Sequence, residues 1–326
     1  MGNCTWQVST HSVLGASHIR QGLPNQDACI QNSSQTQQLP VIMAVADGHG
    51  SKKCFRSERG SRLAVEQALA VMQDFISSQP KRGSVLKQAE EILSERLVQQ
   101  WRRVVYDDVR KYPFSADEQL LLPSNQEPYL AYGSTLLVAV ITDDFVLLMQ
   151  LGDGDILQVQ PDGTVQRPIA VDATLIANET TSLCTNNAWR QFRCSVQAMP
   201  SDAPMLWLLA TDGYANSFAN TASFEQVGTD LLAMIQEAGF AAVSQQLPDW
   251  LQVASQQGSG DDVTVALAYK QVKPPRYVVP NRRPVATRQR LLPRMPVRPR
   301  KEHLSKRTQR NMVELSQLFT RLLQND

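Results

Sequence analysis

Hydrophobic and polar positions follow two different periods along this chain, and the change of period marks out the elements. Residues 39–46 and 205–210 are continuous apolar runs of strand length, as expected of strands buried on both faces. Residues 135–141, 145–151, 156–160 and 263–269 predict further strands, and 6–10 a short first one. Between them the spacing lengthens. Leu63, Val65, Leu69, Met72 and Phe75 predict a helix over 59–76. Leu86, Ile92, Leu93, Leu97, Trp101, Val104 and Val105 predict a longer one over 84–111. Two more are expected at 224–236 and 240–252, the second broken at Pro248. Residues 113–128 read as a loop, and 166–199, polar and weakly periodic, as a mobile flap. Strands in runs and helices in pairs predict an α+β layered sandwich rather than a doubly wound sheet.

Two of the apolar runs end in the same dipeptide, Asp47-Gly48 and Asp212-Gly213, and Gly260-Asp261-Asp262 stands directly before the last strand. Each strand end thus delivers a carboxylate. Asp-Gly is also an ordinary turn signal, and Asp162-Gly163 reads as no more than that. Carboxylates gathered from several strand ends either repel one another or bind hard cations through oxygen. The repeated strand context points to a two-metal hydrolytic centre.

Composition adds a division of the chain. Its 326 residues carry a net charge of +1, but residues 270–326 hold 15 Lys or Arg against 3 Asp or Glu, leaving the first 269 at −11. Seven prolines between 274 and 299, interleaved with arginine, cannot build a core and predict a disordered linker over 270–303. Met312, Leu315, Phe319 and Leu322 then restore helical spacing and predict a short amphipathic helix over 304–326. The domain expected to fold is 1–269. No apolar run approaches the roughly 20 residues needed to span a bilayer, and no signal peptide opens the chain. Trp6 stands where a myristoylation site wants Ser or Thr. Five cysteines, Cys4, Cys29, Cys54, Cys184 and Cys194, show no Cys-x-x-Cys pairing, which fits reduced thiols in a cytoplasmic protein.

Seven motifs carry a resemblance. Gly15-Ala-Ser-His18 with Gly22-x-Pro-Asn-Gln-Asp27, then Asp47-Gly48-His49-Gly50-Ser51, Arg56-Ser57-x-x-Gly60-Ser61, Tyr132-Gly-Ser-Thr135, Leu151-Gly-Asp153-Gly, Ala210-Thr-Asp212-Gly and Gly260-Asp261-Asp-Val-Thr-Val265 together resemble the bacterial-type branch of the metal-dependent protein phosphatases, the protein phosphatase 2C or PPM family. The resemblance covers about residues 5–269. It implies a four-layer αββα sandwich: two antiparallel sheets flanked by helix pairs, with Mg²⁺ or Mn²⁺ in the cleft between them. By position Asp47 resembles the ligand that bridges two ions and Gly48 offers its carbonyl to the second. Asp212 and Asp261 resemble ligands of the first ion, and Asp27 a carboxylate holding metal-bound water. Asp153 resembles a ligand of a weaker third ion, or forms a hairpin turn with Gly154. His49 resembles the general acid for the leaving Ser or Thr oxygen, against the plainer reading of a solvent-facing loop histidine. His18 orients the Asp27 loop or caps a turn.

Three positions depart from the family pattern. Gln26 replaces a common Glu, and Asn216 a second Asp that would support the third ion. Gly22 stands where relatives keep a phosphate-binding arginine, leaving Arg20 as the candidate. The function expected is hydrolysis of phosphoserine or phosphothreonine in a phosphoprotein substrate, opposite a Ser/Thr kinase. The alternative is a catalytically weak, phosphoprotein-binding scaffold of the same fold. The basic tail is expected to contact a protein or acidic surface. It lacks the interleaved aromatics of a nucleic-acid binder.

Overall fold

Strands whose side chains are buried on both faces need a layer on each side, and the clusters of buried residues show what supplies them. In the computed structural model, residues 4–32, 36–37, 39–123, 128–170, 181–199 and 206–272 are described. Along β4 (Val41–Ala46), Ile42, Ala44 and Ala46 face one core while Val41, Met43 and Val45 face another. β5 (Leu136–Ile141) divides the same way, with Leu136, Val138 and Val140 against Leu137, Ala139 and Ile141. In β10 (Leu206–Ala210) it is Leu206, Leu208 and Ala210 against Trp207 and Leu209. This is the two-residue period of the pleat. The shared core is the one between two sheets, and the other two lie beneath helices.

The first sheet runs β3 (Thr36–Gln37), β1 (Cys4–Val13), β11 (Val263–Val272), β10, β7 (Asp155–Val159), β8 (Val165–Gln166). The second runs β2 (Ala28–Gln31), β4, β5, β6 (Phe145–Leu151), β9 (Arg193–Ala198). Every pairing is antiparallel. The second sheet is covered by α2 (Ser57–Ser77) and by α3 (Arg82–Gln88), which continues through one π-helical turn, Ala89–Leu93, into α4 (Ser94–Lys111). α7 (Thr221–Ala238) and α8 (Phe240–Gln257) cover the first sheet. The result is the αββα sandwich expected from the motifs. Among the described residues, no helix is long and apolar enough to cross a membrane, and Cys29, Cys54, Cys184 and Cys194 are free thiols.

Four expectations need correction. The loop at 113–128 contains α5 (Ala116–Leu121), started by a capping box in which Ser115 and Glu118 bond each other's backbone N–H. Its Ser-x-x-Glu signature was present in the sequence, but no periodic apolar face follows it. Residues 166–199 are not a flap throughout, because β9 pairs with β6 from Gln150↔Arg193 to Phe145↔Ala198. Only Cys194 and Val196 of that strand turn toward the core, so its alternation is shallow; 171–180 lie outside the described residues. Pro248 does not break α8, since Leu247, Trp250 and Leu251 around it are buried and that packing outweighs one lost hydrogen bond. Finally, β11 continues through Lys270 to Val272, opposite Trp6, Thr5 and Cys4, which moves the end of the body three residues on. The rest of the expected linker and the expected terminal helix lie outside the described residues.

Candidate metal centre

Register brings the carboxylates together. Ala28 pairs with Ala46, so Asp27, just before β2, and Asp47, just after β4, leave the second sheet at one end. In the first sheet Ala210 pairs with Val265, which puts Asp212 and the Asp261–Asp262 pair at one end of β10 and β11. Asp212 opens a short helix, α6 (Asp212–Ala215). Asp153 lies in the turn that carries the chain from β6 in one sheet to β7 in the other. Six acidic residues from five separate stretches of sequence therefore share one end of the cleft.

Hydrogen bonds hold this end together. Thr211 Oγ1 donates to Asp27 Oδ2 at 2.7 Å, linking the two sheets. The Asp47 N–H donates to Thr135 Oγ1 at 2.9 Å, and its carbonyl accepts from Thr135 N–H at 2.8 Å. Asn216 Nδ2 donates to Asp212 Oδ2 at 3.0 Å. Asp262 is a clamp: its two oxygens accept the N–H groups of Gly15 and Gln26, each at 2.6 Å. Two glycines have no room for a side chain. A Cβ on Gly48 would come within 2.5 Å of the Gln26 carbonyl oxygen, and one on Gly213 would strike the Asp262 carbonyl.

The cluster carries an electrostatic load. Burial, then the charges of Asp27, Asp212 and Asp261, push the Asp47 carboxyl well above the ordinary range. Asp27 is raised well above it by burial, with Asp262 and Asp261 adding to the effect, although bonds from Thr211 and Thr264 pull the other way. Asp212 is raised by burial, with Asp153 and Asp261 adding. Mutually repelling, desolvated oxygen donors are the chemistry a hard divalent cation relieves. The residues present fit Mg²⁺ or Mn²⁺.

The other candidates are placed less uniformly. His49 is half-buried beside Gly133, whose carbonyl accepts its N–H at 3.0 Å. Burial holds its imidazole below the usual value, and the nearby Asp153 charge acts in the opposite sense. Asp153 itself is exposed; its turn is braced by Arg193 Nη2 on the Gly152 carbonyl at 2.7 Å and Gln150 Nε2 on the Gly154 carbonyl at 2.5 Å. Buried His18 on α1 (Ala16–Gln21) sets Nδ1 2.9 Å from Asp262 Oδ2, out of line for a hydrogen bond, and Nε2 3.6 Å from Asp261 Oδ1. It thus faces the Asp261–Asp262 turn. His18, Asp261 and Asp262 bring three donor atoms within 4.8 Å of one another, closer than Asp27, Asp47, Asp212 and Asp261 lie. The Asp262 oxygens, however, are already engaged by backbone. Arg20 is exposed on α1, with its guanidinium near Gly260. Ser134 and Thr135 are buried. Sequence reasoning singled out neither Gln150 nor Arg193 and assigned no role to Thr211 or Asp262, which it met only inside motifs; all four act on the backbone or on another side chain.

A family model described as Protein phosphatase 2C matches residues 14–252. Among curated proteins, serine/threonine-protein phosphatase 3 of Escherichia coli (strain K12) is 29% identical over 178 residues, covering 54% of this chain and 62% of that protein. The chain thus spans less than two thirds of that relative's length. Among solved structures, the serine/threonine phosphatase Stp1 from Staphylococcus aureus has a TM-score of 0.51 at 16% identity, covering 82% of this chain and 94% of its own. The catalytic domain of the serine/threonine protein phosphatase PstP, solved with two manganese ions, has a TM-score of 0.50 at 16% identity, over 82% and 99%. At such identities the likeness is one of fold.

Proposed function

The chain belongs to the protein phosphatase 2C family, and from that premise we propose that it hydrolyses phosphoserine or phosphothreonine in proteins with the help of two divalent cations. One observation carries this reading: Asp27, Asp47, Asp212 and Asp261, drawn from both sheets, converge at one end of the cleft, where burial and neighbouring carboxylates raise the proton affinity of Asp27, Asp47 and Asp212. When bound, Mg²⁺ or Mn²⁺ would neutralise phosphate charge and lower the pKa of a water molecule. Asp47, with the Gly48 carbonyl beside it, would hold both ions; Asp212 and Asp261 would help hold one of them, and Asp27 would orient water. Oxygen-only donors favour these ions over zinc.

Asn216 bears on the number of ions. It directs an amide N–H at Asp212 Oδ2, a donor where a third cation would need an acceptor, so we assign two ions and give Asp153 an electrostatic role toward His49. His49 delivers a proton to the leaving seryl or threonyl oxygen. Arg20 is the proposed phosphate contact, at the rim.

Hydrolysis of an aryl phosphate by the full chain, with and without Mn²⁺ and with excess EDTA, tests the proposal. Turnover that appears with Mn²⁺ and vanishes with EDTA is expected. Cation-independent turnover would overturn the mechanism. Mn²⁺ binding with no turnover on aryl phosphate or phosphopeptide would favour the scaffold reading.

A further inference from the structure

Thr211 occupies the N-cap position of α6, where a threonine hydroxyl ordinarily accepts an N–H from its own helix. Here it makes no such cap bond. Its oxygen instead accepts the N–H of Thr264 at 3.0 Å and donates to Asp27 Oδ2 at 2.7 Å. A hydroxyl has one hydrogen, and Asp27 Oδ2 at 2.7 Å is much the nearer acceptor; the Thr264 carbonyl stands at 3.5 Å and takes the Thr211 N–H at 3.0 Å. Thr211 is fully buried, so no water competes for the proton.

The consequence is geometric. Asp27 belongs to the β2 edge of one sheet and Thr211 to the end of β10 in the other, one residue before Asp212. The hydroxyl therefore fixes Asp27 against the backbone from which Asp212 departs. A donor held at 2.7 Å limits the orientations open to the Asp27 carboxyl, and removing it would leave the carboxyl without that partner.

We propose that Thr211 is a positioning residue for the cation centre: its hydroxyl holds the Asp27 carboxyl in place across the two sheets, at the cost of the α6 cap. The proposal rests on the cation-centre reading above. Groups that orient metal-binding side chains commonly change affinity by about 10–100-fold when removed.

The test is calorimetric titration of Mn²⁺ into the full-length wild type, Thr211→Val and Thr211→Ser, with melting of each protein in excess EDTA. Valine keeps the branched shape and loses the donor; serine keeps the donor. Thr211→Val should bind Mn²⁺ about 10–100-fold more weakly, with Thr211→Ser close to wild type. A purely structural role would lower melting in EDTA and leave the affinity of the folded protein unchanged, which would overturn the proposal. So would a loss in Thr211→Ser equal to that in Thr211→Val, since packing rather than the hydroxyl would then be responsible. If the valine variant does not fold, Thr211→Ala supplies the same comparison. Wild-type protein that binds no Mn²⁺ removes the centre itself, whereas wild-type binding with an unaffected valine variant removes only the role of Thr211.

Discussion

Asp47 and Arg56 lie nine residues apart in the chain, and each sits in a cluster of at least half-buried charge, yet the two clusters are built to opposite plans. Around Arg56 every donor is used. Its five N–H groups reach the Tyr112 carbonyl (2.6 Å), Tyr132 Oη (3.0 Å), the Pro113 carbonyl (3.3 Å) and both oxygens of Glu118 (3.3 and 3.2 Å). The guanidinium also stacks 4.5 Å from the centre of the Phe114 ring. Tyr132 Oη in turn donates to Asp108, which pairs with Arg59 at 2.7 Å. Around Asp47 the neighbours are other carboxylates, and they raise its proton affinity rather than lower it. Burial of charge is common to both; what differs is whether the protein answers it. A satisfied cluster fastens α2 to α5, while an unsatisfied one is kept for something that arrives from outside.

Breaking each cluster should therefore have opposite consequences, the largest at Asp47. Asp47→Asn is expected to lose about 10³-fold or more in turnover, because in the proposed centre one ligand serves both ions, while its melting temperature in EDTA rises as repulsion is relieved. Steady-state kinetics and thermal melts measure the two effects. Full activity, or a fall in melting temperature, would show that Asp47 is answered as Arg56 is. His49→Ala should lose about 10²–10⁴-fold on a phosphoserine peptide and clearly less on an aryl phosphate, whose leaving group needs little protonation. Equal losses would take His49 out of the acid role.

At the other cluster, Arg56→Ala should cost about 3 kcal/mol in denaturant unfolding, since it strips partners from Glu118 and from buried carbonyls, with Mn²⁺ affinity of the folded protein unaltered. A changed affinity would mean that the two clusters are one unit.

The pH dependence of stability sharpens the same contrast. Asp27, Asp47 and Asp212 all have folded-state proton affinities above the unfolded value, so in EDTA the native state binds more protons than the unfolded one. Stability should fall as pH rises through their raised values and be recovered on acidification toward the ordinary carboxylate value of about 4. Mn²⁺ should flatten or reverse that slope, because the cation needs the ionised forms. Melts across pH 4–8 with and without Mn²⁺ give the answer (range chosen around the carboxylate and histidine values, roughly 4 and 6.5). The smallest effect is expected from the tail. Removing residues after Val272, where β11 ends, should leave aryl phosphate turnover nearly unchanged; a raised rate at low salt would instead mean that the basic segment shades the acidic cleft.

Much of this was legible beforehand, for definite reasons. Continuous apolar runs ending in Asp-Gly announced β4 and β10, and the Asp-Asp before β11 announced the third edge of the cleft. Helical spacing located α2, α4, α7 and α8 to within a few residues. Short elements escaped for want of a long signal: α1, α5 and α6 are too brief to show a face, and β9 does alternate, but only Cys194 and Val196 mark its inner side within a polar stretch. The supporting contacts escaped for another reason. Thr211 and Asp262 act through distances that sequence does not encode, 2.7 Å across two sheets and 2.6 Å to two separate loops. Nothing in Thr-Asp-Gly distinguishes a capping threonine from one that gives up its cap.

The central claim is that the carboxylates of the cleft are left unanswered in order to hold cations, and calorimetric titration of Mn²⁺ into wild type and Asp47→Asn tests it most directly. Two ions bound by the wild type, with the stoichiometry or affinity collapsing in the asparagine variant although it melts higher in EDTA, is the expected result. Indistinguishable titrations, or no binding by either protein, would contradict it.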